Sequence, residues 1–229
     1  AAEAGYEIFE DSNGFKQDGF GTFDVTIDGG KRQSVARAYL EEVKNSNNLK
    51  VKHKTDVSKI IFKDKKAIGV EIKNNNKTEV YYCNKEIILS AGSINSPKIL
   101  QLSGVGDPKL LKQNNIEVIH ELPGVGKNLQ DHLEIYIQHK SKTKDTLYNL
   151  STNYFTQAIE GMKWFLFKKG MLTYSHLELG GFVKTSEKYK HPNIQLHFFP
   201  SLVINHGLTN PSFDGFQFHA SPNRPKSRG

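Results

Sequence analysis

The 229-residue sequence predicts a mixed fold, α+β with α/β character, on three observations. Short apolar runs separated by turn residues crowd residues 49–91 and read as an antiparallel meander followed by a buried strand. Two helix signatures come directly after it, GSINSPKILQL and DPKLLKQNN. Beyond residue 132, alternating segments flank one long amphipathic helix and read as the start of a second antiparallel sheet.

Residues 1–30 mix Gly14, Gly19 and Gly21 with Phe15, Phe20 and Phe23, the composition of a loop-rich segment that packs against something larger. A helix is expected over 34–44, with Val35, Ala38, Tyr39 and Val43 facing inward. Strands are expected at 49–52, 57–62, 67–72, 79–83 and 86–91, with turns at 63–66 and at Asn74-Asn75-Asn76. In the GSINSP helix, Asn95 or Ser96 reads as the cap and Pro97 as the first helical residue. Ile99, Leu100 and Leu102 form its buried stripe, and Gly104 and Gly106 stop it. Asp107-Pro108 repeats the cap-plus-proline signal for KLLKQNN. Further along, a strand is expected at 133–139 and a helix at 154–168 that ends at Gly170. Phe155, Ile159, Met162, Phe165 and Leu166 line one side of that helix. Strands follow at 181–184, 194–199 and 215–220.

Two glycine-punctuated segments are the most informative, GSINSPKILQLSGVG (92–106) and PGVGKNLQDH (123–132). The first follows the apolar run KEIILSA. A strand end that feeds a glycine and a helix N-terminus suits an anionic or dipolar ligand. These residues resemble the glucose-methanol-choline (GMC) family of flavin oxidoreductases. GSINSPKILQLSGVG matches that family's second signature along its whole length, and PGVGKNLQDH is its companion segment. The resemblance runs from about Tyr6 to Gly229. NGFKQDGFG, GKRQSVARAYL, QDHLEIYIQ, HLELGGF, FFPSLVINHG and RPKSRG read like the choline-oxidising members.

The resemblance implies FAD as cofactor, with residues 31–132 as part of an FAD-binding domain. It makes residues 133–229 the N-terminal part of an antiparallel-sheet substrate domain, and 1–30 a connecting segment. It places the Val57 backbone against the adenine and Ser90, Ala91 and Gly92 near the dinucleotide. The implied activity is oxidation of a primary alcohol, choline to betaine aldehyde, with hydride transfer to flavin N5. Glu178 would hold the trimethylammonium group, and His197 would bind substrate and stabilise the developing alkoxide. A membrane respiratory electron acceptor is implied, with a peripheral location at the bacterial or mitochondrial inner membrane; the cytoplasm is the alternative. The family's GxGxxG turn and its C-terminal catalytic histidine find no match here: the pairs Gly19/Gly21, Gly104/Gly106 and Gly124/Gly126 all lack a third glycine. The chain is therefore expected to be the central piece of a longer enzyme, with no catalytic base of its own. The alternatives are another GMC alcohol oxidoreductase or a catalytically inactive truncated chain.

Read without the family, these residues leave choices open. In YSHLELGGF, alternation sets His176 and Glu178 on one side and Leu177 and Leu179 on the other. An unpaired buried charge is costly, so Glu178 either meets solvent or meets a ligand. His197 alternates with Ile194, Leu196 and Phe198, and a lone strand histidine is commonly structural. Val57 reads equally as an ordinary strand residue, and His206 as a loop residue. Asn128 and Asp131 read as loop-fixing residues that bond their own backbone. Asp131 and His132 point apart on an extended segment and lack a nucleophile.

Composition excludes several classes. The net charge of +7 comes from scattered lysines without a recognition motif, so no nucleic-acid partner is expected. It describes a basic solvated surface, or one drawn to an anionic membrane face. A mean hydropathy of −0.54 reflects that Lys- and Asn-rich surface. Cys83 is the single cysteine, which rules out an internal disulfide and reads as a buried hydrophobe. No apolar run reaches about 18 residues, so no membrane span is expected. AAEAGYEIFED lacks the features of a signal peptide. The nine histidines show no ligand spacing, so no metal site is expected.

Overall fold

The computed structural model describes residues 1–74 and 77–229. Residues 1–45 contribute strands β1 (Gly19–Thr22), β2 (Ile27–Asp28) and β3 (Lys31–Arg32). A wide helical turn, Ala36–Leu40, then runs into α1 (Glu41–Val43). Residues 46–131 contribute β4 (Asp56–Lys63), β5 (Lys66–Asn74), β6 (Lys77–Tyr82), α2 (Gly92–Leu102), β7 (Val105–Gly106), α3 (Pro108–Gln113) and β8 (His120–Glu121). Residues 132–225 contribute β9 (Ile135–Lys140), α4 (Tyr148–Thr152), α5 (Tyr154–Phe167), β10 (Leu179–Val183), β11 (Ile194–Phe199) and β12 (Gly215–Pro222). The chain forms two compact units. One comprises 1–45 and 132–225, the other 46–131 and 226–229.

In the second unit, β4, β5 and β6 form the expected antiparallel meander. The β4–β5 turn puts Asp64 and Lys65 at φ 52° and 63°, the left-handed pair that matches strand twist in a two-residue hairpin. Asn75 and Asn76 of the expected next turn lie outside the described residues. Ile60 and Ile72 are buried beneath α2 together with Ile99, Val105 and Leu111. Ser103 at the end of α2 ties helix to sheet: its Oγ accepts from the Ile60 amide at 2.7 Å and donates to the Ile99 carbonyl. Asp107 caps α3 by accepting from the Lys109 amide at 2.9 Å, with Pro108 as the first helical residue. β7 and β8 pair in parallel. Gly104, at φ 81°, ends α2, and a Cβ there would stand 2.4 Å from the Glu117 carbonyl oxygen. Gly106 belongs to β7 and takes no part in that stop.

Three expectations in this unit need correction. The segments 49–52 and 86–91 are not strands. A strand needs a neighbour to take its hydrogen bonds, and among the described residues none pairs with either. Residues 87–90 do retain the alternation, with Ile87 and Leu89 half-buried and Ile88 and Ser90 exposed. Finally, α2 begins at Gly92, so Pro97 lies inside it. Ser96 is not its cap; its Oγ accepts from the Ala91 amide at 3.0 Å and braces the entry.

The first unit is built on a five-stranded antiparallel sheet in the order β1-β10-β11-β12-β9. Residues 1–30 were expected to be loop-rich, yet they supply its edge strand, β1, with Gly21 paired to Gly180. The Gly180-Gly181 pair is required by crowding: a Cβ at Gly180 would lie 2.2 Å from the Leu196 carbonyl oxygen and 2.5 Å from the Phe23 ring. α5 is capped by Asn153, whose side chain accepts from the Phe155 and Thr156 amides. It ends at Lys168 in the left-handed conformation, two residues before the expected Gly170. Its inward side is also not the one expected. Phe155, Met162, Phe165 and Leu166 are exposed, while Glu160 is 6% exposed. Glu160 accepts from Lys163 and from the Met171 amide at 2.7 Å, and Trp164 Nε1 donates to the Gly30 carbonyl at 2.8 Å. Hydrogen bonds, not the apolar stripe, hold this helix to its unit. Val35, Tyr39 and Val43 are likewise exposed and not inward-facing, because no element of the unit packs on that side of α1.

Candidate functional site

Period-two alternation gives the sheet of the first unit two unlike faces. Leu196, Phe198, Phe216, Phe218 and Ile137 share one. The opposite face carries Gln138 and Tyr136 of β9, Gln217 and His219 of β12, and His197 of β11. The register sets His197 beside both Gly180 and His219, and His219 beside Tyr136. Glu178 precedes Leu179 by one residue and shares parity with Gly180, so both predicted substrate residues belong to this polar face.

His197 packs edge-on against Phe23, ring centroids 5.1 Å apart. Its Nδ1 is buried and has no hydrogen-bond partner among the described residues. Burial pushes its imidazole down, the Glu134 carboxylate opposes that shift, and charge on His219 adds to it. Glu178 is half-buried: Oε1 accepts from the Ser175 amide at 3.2 Å, and its carbonyl accepts from the Phe23 amide at 2.7 Å. Among the described residues no lysine or arginine pairs with the Glu178 carboxylate. His176, at φ 62°, stands just before it; burial pushes this ring down too, with Glu178 opposing. His206 lies exposed in a short turn, Asn205–Gly207.

Sequence reasoning missed Glu134, Tyr136, Gln217 and His219. His219 Nδ1 lies 3.2 Å from Glu134 Oε1, and the Tyr136 ring is 4.4 Å from the His219 ring. Burial, then the Glu134 charge, pushes the Tyr136 phenol up. The missed signal was in GFQFHASP, where Gln217, His219 and Ser221 alternate with Phe216, Phe218 and Ala220.

In the second unit, the two glycine-punctuated segments come together. Gln101 of α2 donates to the Val125 carbonyl at 3.3 Å. A cleft of about 500 Å³ lies between them, lined by Ser93, Ile94, Pro97, Gln101, Gly126 and Leu129 among others. Asn128 and Asp131 do not fix the loop as expected: neither side chain makes a hydrogen bond among the described residues. Asn128 instead supplies a left-handed turn at φ 63°, and reciprocal backbone bonds between Leu129 and Gly229 hold the segment. Cys83 is half-buried and not fully buried, its Sγ 3.7 Å from the Ala67 carbonyl oxygen.

Ser90, Ala91 and Gly92 are exposed at the start of α2. Ala91 offers no side-chain cap, so the first amides of this 11-residue helix point out with no intrahelical acceptor. Gly92 sits at φ 84° with open space where a Cβ would be. Val57 is exposed early in β4, at an irregularity in its pairing with β5. No hydrogen bond joins Val57 to Ser90–Gly92. Free amides beside an open glycine have the chemistry to meet the polar oxygens of a dinucleotide. No group of three metal-ligating side chains occurs among the described residues.

A family profile described as GMC oxidoreductase matches residues 1–134. The chain belongs to the GMC oxidoreductase family. Among relatives of this GMC chain, mitochondrial choline dehydrogenase of Homo sapiens is 44% identical over 99% of the chain and 38% of the relative. The oxygen-dependent choline dehydrogenase of Photobacterium profundum is 42% identical over 99% of the chain and 40% of the relative. Among solved structures, an FAD-dependent oxidoreductase from Chaetomium thermophilum superposes with a TM-score of 0.84. It is 26% identical and covers the whole chain against 46% of its own. A formate oxidase superposes at 0.87 with 21% identity, over 99% of this chain and 44% of its own, a likeness of fold. The chain thus spans about two-fifths of the length of the curated relatives it matches.

Proposed function

We propose that this GMC chain serves an FAD-dependent oxidation of the CH–OH group of a primary alcohol, and that the alcohol is cationic, choline being the first to test. The observation that carries this reading is the shared polar face: Glu178, just ahead of β10 and without a lysine or arginine partner among the described residues, and His197 of the adjacent β11, with a buried nitrogen unpaired among them. An uncompensated carboxylate favours a quaternary ammonium group, and the nearby Phe23 ring suits one as well. The His197 imidazole would hold the substrate oxygen as negative charge grows on it. The choline dehydrogenase relatives support the choice of substrate.

In this reading the unit built on 46–131 serves the flavin and the unit containing 132–225 serves the substrate. Ser90 and Gly92 would offer backbone amides to the dinucleotide beside Ala91, whose own amide is held by Ser96 Oγ, and the Val57 backbone would meet its adenine. FAD, when bound, supplies the acceptor for the hydride leaving the alcohol carbon. No residue of this chain is assigned as the base. A peripheral membrane setting with a respiratory electron acceptor belongs to the same proposal, supported by the mitochondrial relative. No described helix is long and apolar enough to cross a membrane. Cell fractionation followed by a salt wash tests that setting: protein that stays with the supernatant before any wash removes it.

The substrate assignment is tested in the full-length, FAD-loaded protein with Glu178→Gln. The expected result is a rise in KM for choline of about tenfold or more, the loss of one charge-assisted contact, with little change for hexanol. Equal effects on both alcohols would remove the cationic assignment.

A further inference from the structure

Gln217 is completely buried, 0% exposed, on the face that carries His197. Its amide cannot be turned over. Oε1 accepts from the Val203 amide at 2.8 Å and from Gln138 Nε2 at 2.9 Å, and a backbone N–H is a donor only. The Val203 carbonyl fixes Gln138 in the same way, accepting from its Nε2 at 3.2 Å. Gln217 therefore presents its NH2 group to His219 Nε2. That ring nitrogen must accept, because a proton on it would set two donors against each other. The His219 proton then sits on Nδ1, the atom 3.2 Å from Glu134 Oε1. The contact between His219 and Glu134 is a hydrogen bond from a neutral ring, not an ion pair. Among the described residues no lysine or arginine neutralises Glu134 either.

We propose that Gln217 and His219 are positioning residues for His197: they orient the Glu134 carboxylate through a neutral donor, leaving its charge uncancelled on the face where His197 stands. This rests on the reading of His197 as a substrate contact. His219 lies directly across the strand pair from His197. A cation there would offset Glu134 and oppose both a proton on His197 and a cationic substrate. Glu134 pushes the His197 ring up against burial and a charged His219 would push it down, so a neutral His219 leaves the Glu134 push unopposed from that strand. The titratable groups on this face around His197 are Glu134 and Tyr136 from the β9 side, His219 from β12, and Glu178 ahead of β10.

The test is a nitrogen-15 histidine spectrum of the full-length, FAD-loaded protein, read for ring tautomers across pH. His219 is expected to show a protonated Nδ1 and a bare Nε2 at pH 7. Gln217→Glu keeps an acceptor for Val203 but places one opposite Nε2 as well, so His219 should become doubly protonated. His219→Asn supplies another neutral donor and should leave the His197 midpoint in place, while Glu134→Gln should move it to lower pH. A merely structural role for Glu134 would not move it. The proposal is overturned if the wild-type His219 ring is doubly protonated at pH 7 or carries its proton on Nε2. It is equally overturned if His219→Asn raises the His197 midpoint, or if Glu134→Gln leaves it unchanged. These spectra do not depend on which alcohol is turned over. Failure of the choline assignment with the spectra as expected is therefore distinguishable from failure of this inference.

Discussion

Gly180 lies under Phe23 so tightly that a single added methyl carbon would come within 2.5 Å of the ring and 2.2 Å of the Leu196 carbonyl oxygen. The ring can tilt, but the carbonyl belongs to the β10–β11 ladder and cannot retreat without breaking it. Gly180→Ala should therefore destabilise the first unit by roughly 1–3 kcal/mol, the usual cost of overpacking. A urea melt followed by tryptophan fluorescence reads this directly, since Trp164 is the single tryptophan and lies in that unit. A midpoint equal to wild type would show the sheet to be looser than described.

Ser103 should matter more than a small hydroxyl at a helix end usually does. Its Oγ accepts the buried Ile60 amide at 2.7 Å. Ser103→Ala strands that donor, at a cost of about 1–3 kcal/mol. Ser103→Thr keeps the hydroxyl and should recover part of the loss. Amide exchange at Ile60 is the local readout: it should quicken in the alanine variant and slow again in the threonine variant.

Glu160 gives the first unit an acid-sensitive contact. The Lys163 ammonium, then the Met171 amide, holds its carboxyl below the ordinary value of 4.5. A carboxyl lowered by folding contributes stability that is fully present above its unfolded value and is lost as pH falls through its folded value. Wild type should therefore exceed Glu160→Gln in stability at neutral pH, and the gap should close in acid, below about pH 4.5. Thermal melts of both proteins from pH 7 to pH 3 test this; a gap that persists at pH 3 would exclude the ionised contact as its source.

The two kinds of apolar residue should behave differently on truncation. Ile99 is buried against the meander, and Ile99→Ala should cost about 2–5 kcal/mol. Phe165 and Leu166 are exposed on α5, and polar replacements there should change the stability of this chain by less than about 0.5 kcal/mol. A large loss at Phe165 would show that a neighbouring segment covers that side.

Much of the fold was legible because local rules governed it. The Asp64-Lys65 turn, the Asp107-Pro108 cap and the alternation of β11 and β12 follow from residue type and spacing alone. Expectations failed where the deciding interaction was distant in sequence. Residues 86–91 have the composition of a strand, yet no partner forms a ladder with them. α5 has an apolar stripe, but bonds from Met171 to Glu160 and from Trp164 to Gly30 turn its other side inward. Pro97 was read as a helix start because proline favours the first turn, although α2 accommodates it further in. For the site, Glu178 and His197 stood out as polar residues in apolar company. Gln217 and His219 were hidden by the aromatic neighbours that make β12 look like ordinary core, although their period of two was in plain view.

The placement of β1 has a bearing on how the molecule is made. Gly21 pairs with Gly180, so β1 waits for its mate until the long stretch of chain between them has been synthesised. Contact order of this kind slows folding. In the interval β1 lacks its partner strand and is open to pairing with another copy. Newly made chains should thus depend on holdase protection until that late closure, more than their final stability would suggest.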